Sequence, residues 1–523
     1  MTLEDLLALQ TLDGLEPAKA LRVIGTLVDH ALDTRDLELN SRVLHWAAKL
    51  EPRLTDDTER VLLDYYWANA WANVDADARQ DRTQAWVWDQ EPAQRQLLLL
   101  RRALTRPTFP KVPDLLQCQI LTNLGNQLSY LGRFIEAREF WSRALDAMPD
   151  FWMARFNRGF GLITYARHLY DMGHRAVLAL AAHTDMVNAV SSLDAHAEYG
   201  DVRLRAEFVA YAQSIAARVD LEAVSAEYNP DGFSLGEDAR EQGYRKWCLQ
   251  ECLFLNPLND AGPNSIAARD VMQLPTFCTL ADERPVVLGL FNQLKQEFVS
   301  ARWMYYEGVT SEGLHFSDRD VALYNTLDYP ALGLAAEKVK LAFRMSYSLF
   351  DKIAFFLNHY MKLGIAETQV SFRHVWRDKK TKLLRPAFAD TENLAFRALY
   401  WLSRDFYDED IKDSMEPEAR ACHDLRNHLE HKYLKLHLMA LPEPETTPSP
   451  FDLFKDDLAH SLTVADLERR SLRMLKLARA ALIYLLLGMH TEEERRRAAS
   501  GSDGLAATMP IHMADDLYKQ RLG

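Results

Sequence analysis

Within the stretch DLRNHLEHKYLKL, six residues have the types and the spacing to do chemistry: Arg426-Asn427-His428-Leu429-Glu430-His431. A permanently charged guanidinium is followed by an amide and, five residues on, by an imidazole. Arg grips a phosphate through a two-pronged hydrogen bond, and His moves protons near neutral pH. In RNA the ribose 2′-OH is a built-in nucleophile. Strand cleavage therefore asks a protein only for a base, an acid and a clamp for the charge that builds around phosphorus. No carboxylate or His/Cys cluster near these residues has metal-ligand spacing, so neither a metal nor a cofactor is expected. The same six residues would also make an ordinary helix face, with Arg426 and Glu430 paired one turn apart and the histidines exposed.

The pattern predicts a helix from about Asp424 to Met439 with Asp424 as its cap. Arg426 then falls in the first turn, where free backbone N–H groups also favour a phosphate. His431 lies about 140° around the axis from Arg426. Asn427 and His431 share a face, and His428 is an exposed neighbour able to contact RNA. One such helix lines a groove rather than closing a pocket, which suits a site completed by a second protomer.

A second chemical signal is the segment RHVWRDKKTKLLR, with Arg373, Arg377, Lys379, Lys380, Lys382 and Arg385 against the single Asp378 and with Trp376 interleaved. In a chain of net charge −14 such a basic, aromatic stretch is what an RNA-approach patch would look like, or else a solvated loop. Arg469, Arg470, Arg473 and Lys476 offer an alternative approach surface.

The elements that must hold these residues are helical throughout; no convincing strand alternation is found, and the fold class expected is all-α. Toward the C-terminus, apolar residues at three- and four-residue spacing predict helices at about Ala335–Leu363, Asn393–Phe406, the motif helix, and Val464–Gly488 with Thr463 as cap. The proline-rich LPEPETTPSP separates the last two. Four helices of this kind make a bundle, assigned to 335–490, with a tail at 491–523. Toward the N-terminus, Leu124, Gly125, Leu128, Ala137, Trp141, Ala144 and Pro149 fall on the signature positions of a 34-residue tetratricopeptide repeat that starts at Cys118. His45–Pro52 looks like the end of a neighbouring unit and Phe156–Asp171 like the start of another. Residues 1–230 thus read as a TPR-like α-solenoid. Residues 231–334 read as a helical connector, with turns at Tyr228–Gly236 and Leu255–Asn264. The aromatics of Arg302–Gly308 fill an interior there.

Composition is that of an ordinary globular chain, and −14 argues against a general nucleic-acid coat. The five cysteines suggest no disulfide framework; Cys248 and Cys252, four apart on one helix face, read as buried thiols. The opening MTLEDLLALQ has no secretory pattern, and the longest apolar run, Ala480–Gly488, is too short to span a bilayer. A cytoplasmic location is expected, without a membrane partner.

A bundle with Arg-Asn-x-x-x-His near the start of its third helix resembles the HEPN superfamily (higher eukaryotes and prokaryotes nucleotide-binding domain). Its union with an N-terminal repeat array is similar to a bacterial subgroup tied to toxin and phage-defence functions. The resemblance implies a metal-independent endoribonuclease with Arg426 and His431 as catalytic residues and Asn427 in an auxiliary place. It also implies a homodimer whose two motifs face one cleft, and a supporting polar residue on the first bundle helix, for which Asp351, beside Lys352, is the candidate. RNA, a second copy, and a protein or peptide on the repeat surface are the partners expected. The other readings are a catalytically silent TPR/HEPN scaffold and an antitoxin-like interaction module.

Overall fold

The computed structural model describes residues 1–195, 203–279, 283–326, 328, 330–389, 391–406, 415–438, 458–500, 509–514 and 516–519. From Pro17 onward long helices follow one another: Pro17–Thr34, Leu37–Leu50, Asp57–Ala78, Glu91–Thr105, Asp114–Tyr130, Phe134–Ala147, Trp152–His168, Met172–Ala195 and Arg203–Ala216. Each packs on the one before it. The Leu-Gly signature has a physical basis in the pair Asp114–Tyr130 and Phe134–Ala147. A Cβ at Gly125 would come within 2.6 Å of the Trp141 indole nitrogen, so only glycine lets the two helices close on that ring. Gly161 of the following helix meets the other edge of the same indole. The turn between the pair passes through Gly132 at φ +90°, a left-handed conformation that favours glycine. Met172–Ala195 is long and apolar enough to cross a membrane, yet it packs between Trp152–His168 and Arg203–Ala216.

In the C-terminal region the first two bundle helices form where their spacing predicts, at Leu334–Tyr360 and Leu394–Phe406. The C-terminal helix begins at Val464, and Thr463 Oγ1 accepts from the Asp466 N–H at 3.0 Å, as a cap should. It continues to Ser500 instead of stopping at Gly488. That glycine is a point of close approach for the Phe396 ring rather than a helix stop. Beyond it Glu492 bonds Arg495 and Arg496 one turn on, at 2.8 and 2.9 Å, which sustains the helix into the expected tail.

Val286–Thr310, assigned by sequence to the connector, packs along Leu334–Tyr360 and against the C-terminal helix. Its aromatics fill an interior, as expected: Tyr305 stacks on Trp247 at 5.6 Å, and Trp303 meets Tyr244 edge-on at 5.0 Å. Cys248 is buried in the helix Ala239–Gln250, but Cys252 lies past the end of that helix at φ +54°. The two thiols therefore do not share a helix face, and Arg138 donates to the Cys252 sulfur at 2.8 Å.

Two expectations about the motif region are corrected. The motif helix runs from Pro417 to His431, seven residues earlier at its start than the Asp424 cap implied. Proline suits a first helical position, where its missing N–H costs nothing. At Lys432 the backbone turns extended (φ −137°, ψ −160°), and the chain enters a strand, β1 (Leu434–His437). β1 pairs in parallel with β2 (His460–Thr463), placing Leu434 opposite His460 and His437 opposite Thr463. Four-residue strands are too short for alternation to declare them. The segment LPEPETTPSP lies outside the described residues.

One continuous apolar core runs from Val61 to Met489, joining the N-terminal helices to the C-terminal ones, and a smaller one serves the first helices from Leu6 to Ala70. Polar ties cross the same seam. Asp405, at the end of the second bundle helix, receives two bonds from Arg101 of the helix Glu91–Thr105, at 2.6 and 2.9 Å, and one from Arg133, which also pairs with Glu136. All four side chains are buried. Arg101 also donates to the Met415 carbonyl at 3.3 Å, close ahead of the motif helix.

Candidate active site on the motif helix

Arg426 lies more than two turns from Pro417, too far from the free N–H groups of the helix start for them to share a phosphate with it. Any phosphate there must be held by side chains. The Arg426 guanidinium lies over the Tyr347 ring, 5.9 Å from its centroid, and donates from Nη1 to Asn427 Oδ1 at 3.3 Å. The expected in-helix pair with Glu430 does not form. Glu430 is gripped by Arg344 of the first bundle helix through two bonds of 2.9 Å each. That fork holds the Glu430 carboxyl below its ordinary range, with the Arg426 and His431 side chains adding to the effect. No carboxylate pairs with Arg426 among the described residues.

On the next face, Asn427 Nδ2 donates to His423 Nε2 at 3.0 Å, leaving His423 Nδ1 to meet the Tyr347 hydroxyl at 3.3 Å. Burial and then the nearby Asp351 push the Tyr347 phenol up to about 12, so it stays an uncharged partner. His431 is the last helical residue and is exposed. Tyr347, His423, Asn427 and Arg426 thus form one connected set at the edge of which His431 stands.

Asp351 is on the first bundle helix, but its hydrogen bond goes to the Phe372 N–H at 2.9 Å. Lys352 pairs with Glu297 rather than with its neighbour. Asp351 thus anchors the start of the basic segment and does not bond to a motif residue. Within that segment Trp376 is 1 % exposed and packs on Trp88, Phe388 and Tyr400, so it cannot stack on a base. Arg377 is spent on Asp89 at 2.6 Å and on the Tyr400 hydroxyl at 2.8 Å, and Arg385 donates to the Val375 carbonyl at 3.1 Å. Arg373, Lys379, Lys380 and Lys382 are exposed. On the C-terminal helix, Arg469 pairs with Glu418 and Asp466, Arg473 with Glu139 and Lys476 with Glu251.

Residues 278–492 match the family model described as LA2681-like HEPN. This part of the chain is HEPN-like. The match contains the motif helix, both strands and most of the C-terminal helix, and it begins ahead of Val286–Thr310, the helix that packs along the bundle. No curated protein and no solved structure matches the chain.

Several residues around the motif are not evident in the sequence. His423 stands one turn before Asn427, a spacing that becomes readable only once the helix is known to start at Pro417. Tyr347 and Arg344 reach the motif from another helix. His460, which stacks on His428 with ring centroids 4.6 Å apart, arrives through the pairing of β1 with β2. Among the described residues no three His, Cys, Asp or Glu side chains converge as a metal-binding group.

Proposed function

We propose that the chain is a metal-independent endoribonuclease of HEPN type, acting in a bacterial toxin or phage-defence setting. The observation that carries this reading is the state of Arg426. The Glu430 carboxylate one turn on is held by Arg344, so the guanidinium is left for an external anion on the same helix as the exposed His431. Arg426 clamps the scissile phosphate and stabilises the charge that develops on it. His431 takes the 2′-OH proton or protonates the leaving 5′-oxygen, and the His431 of a second copy supplies the complementary role. Attack of the 2′-oxygen on phosphorus breaks the P–O5′ bond and leaves a 2′,3′-cyclic phosphate and a 5′-OH. The TPR-like region offers its surface to a protein or peptide that restrains or triggers the cut.

The test is to incubate the purified full chain with mixed cellular RNA, with and without EDTA, and to analyse the ends. Cleavage that survives chelation and yields cyclic phosphate is the expected outcome. Activity that vanishes with EDTA and returns with a divalent ion would refute the mechanism, and no cleavage under any condition would favour the scaffold.

A further inference from the structure

Four side chains around the motif hold one another in a fixed order of donor and acceptor. A guanidinium only donates, so the 3.3 Å bond from Arg426 Nη1 sets the Asn427 amide with Oδ1 toward Arg426 and Nδ2 away from it. Nδ2 then donates to His423 Nε2 at 3.0 Å, and that nitrogen carries the lone pair. In the neutral ring the proton is therefore on Nδ1, which lies 3.3 Å from the Tyr347 hydroxyl and donates to it. The phenol accepts from inside the set and keeps its own proton for a group outside it. Among the described residues the hydroxyl makes no other hydrogen bond.

The surroundings suit an anion. Tyr347 is half-buried: its ring packs on Phe343, Phe350 and Phe406, and its hydroxyl reaches the exposed His423. The Arg426 guanidinium lies over the same ring, so the outward O–H and the cation share one neighbourhood. His423, Asn427 and His431 follow at four-residue intervals along one face of the motif helix, which places His431 on the same stripe. With its phenol pushed up to about 12, Tyr347 keeps its proton at neutral pH and remains a donor. The mechanism above leaves this hydroxyl unused.

Resting on the ribonuclease reading, we propose that Tyr347 is a further catalytic residue, whose hydroxyl donates to a non-bridging oxygen of the phosphate clamped by Arg426. His423 and Asn427 keep that proton turned outward. No proton is transferred; the hydrogen bond strengthens as charge builds on the oxygen during attack by the 2′-oxygen.

Tyr347→Phe removes the hydroxyl and keeps the ring, with its packing and its contact to Arg426. With the full chain and an RNA substrate, kcat should fall about a hundredfold, the scale for one lost donor to a developing anion, while KM changes only a few-fold. Sulfur in place of a non-bridging oxygen at the cleaved linkage is a poorer acceptor. One of the two phosphorothioate diastereomers should therefore slow the parent chain more than it slows Tyr347→Phe. Unchanged kcat in Tyr347→Phe overturns the proposal. So does a loss of kcat with sulfur effects equal in parent and variant for both diastereomers, which would make Tyr347 a mere support for Arg426. Should Tyr347→Phe fail to fold, the parent chain decides: cleavage of both diastereomers as fast as the oxygen substrate overturns the proposal. A binding measurement keeps the two readings apart. In the His431→Ala background, where RNA is bound and not cut, Tyr347→Phe should weaken affinity a few-fold without changing the slope of log affinity against log salt, because the donor is neutral. Arg426→Gln should flatten that slope by about 0.7, one lost phosphate contact. Absence of cleavage by the unaltered chain, with this binding pattern present, would remove the nuclease reading and keep the donor. Cleavage with kcat and binding unchanged in Tyr347→Phe would do the reverse.

Discussion

With Glu430 one turn after Arg426, an in-helix ion pair is the default arrangement, and it would mask the guanidinium. Arg344 prevents it from the neighbouring helix by holding both carboxylate oxygens. Arg344 is thus a positioning residue with a defined signature. Arg344→Ala should release Glu430 toward Arg426 and slow cleavage severalfold, and adding Glu430→Ala should restore most of the rate. A loss that the second substitution does not repair would mean that Arg344 acts in some other way. His431→Ala should lower the cleavage rate about a hundredfold or more with folding intact, the usual scale for a general acid–base group, and Arg426→Ala should do likewise. His428→Ala should leave kcat nearly unchanged. An essential His428 beside a dispensable His431 would reverse the assignment. The sequence could supply Arg426, Asn427 and His431 because they are neighbours on one helix; it could not supply Arg344, Tyr347 or His460, whose approach depends on how other elements pack.

Elements form where a signal lasts several turns and are misplaced where it is brief. Leu334–Tyr360 and Leu394–Phe406 carry their apolar spacing from end to end and were legible as helices. The motif helix carries mixed signals: Asp424 resembles a cap but stands mid-helix, while the true start uses Pro417. Its end is decided by β1, whose Lys435 is buried against Asp328 at 2.8 Å, a pairing that no local pattern announces. The helix pair Asp114–Tyr130 and Phe134–Ala147 is the opposite case, since its spaced small residues are the packing itself. Gly125→Ala should therefore cost about 1–3 kcal/mol, the scale of overpacking a closed core, through the contact with Trp141. Thermal or urea denaturation would measure it, and a neutral result would mean that the indole can move aside.

For the molecule as a whole, all-α class was legible, but the union of its parts was not. Arg101 and Asp405 lie 304 residues apart in sequence, yet their buried pair ties the helix Glu91–Thr105 to the end of the second bundle helix. Burial alone would raise the Asp405 carboxyl; Arg101 and Arg133 outweigh it and bring it down to about 2. A carboxyl lowered on folding contributes stability that is present above the ordinary value of 3.8 and fades as pH falls from there toward 2. Acid unfolding should accordingly steepen below about pH 4. Asp405→Asn should flatten that limb and cost about 3–5 kcal/mol at neutral pH, because it leaves the buried Arg101 guanidinium without a carboxylate and Arg133 with Glu136 alone. Denaturation followed across pH would check both, and a variant with the parent's acid profile would show the network to be neutral.

The parallel pairing of β1 with β2 has a consequence for how such chains are compared. Antiparallel strands need only a two-residue turn, whereas parallel ones need a crossover of about a dozen residues or more before the second strand can begin. The pairing that brings His460 over His428 therefore requires at least that length of chain between the two strands. A homologue shortened there would keep every letter of Arg-Asn-x-x-x-His and still lose the second imidazole, so that a search scoring the motif alone would count it as equivalent. Spacer length is a character to be aligned in its own right.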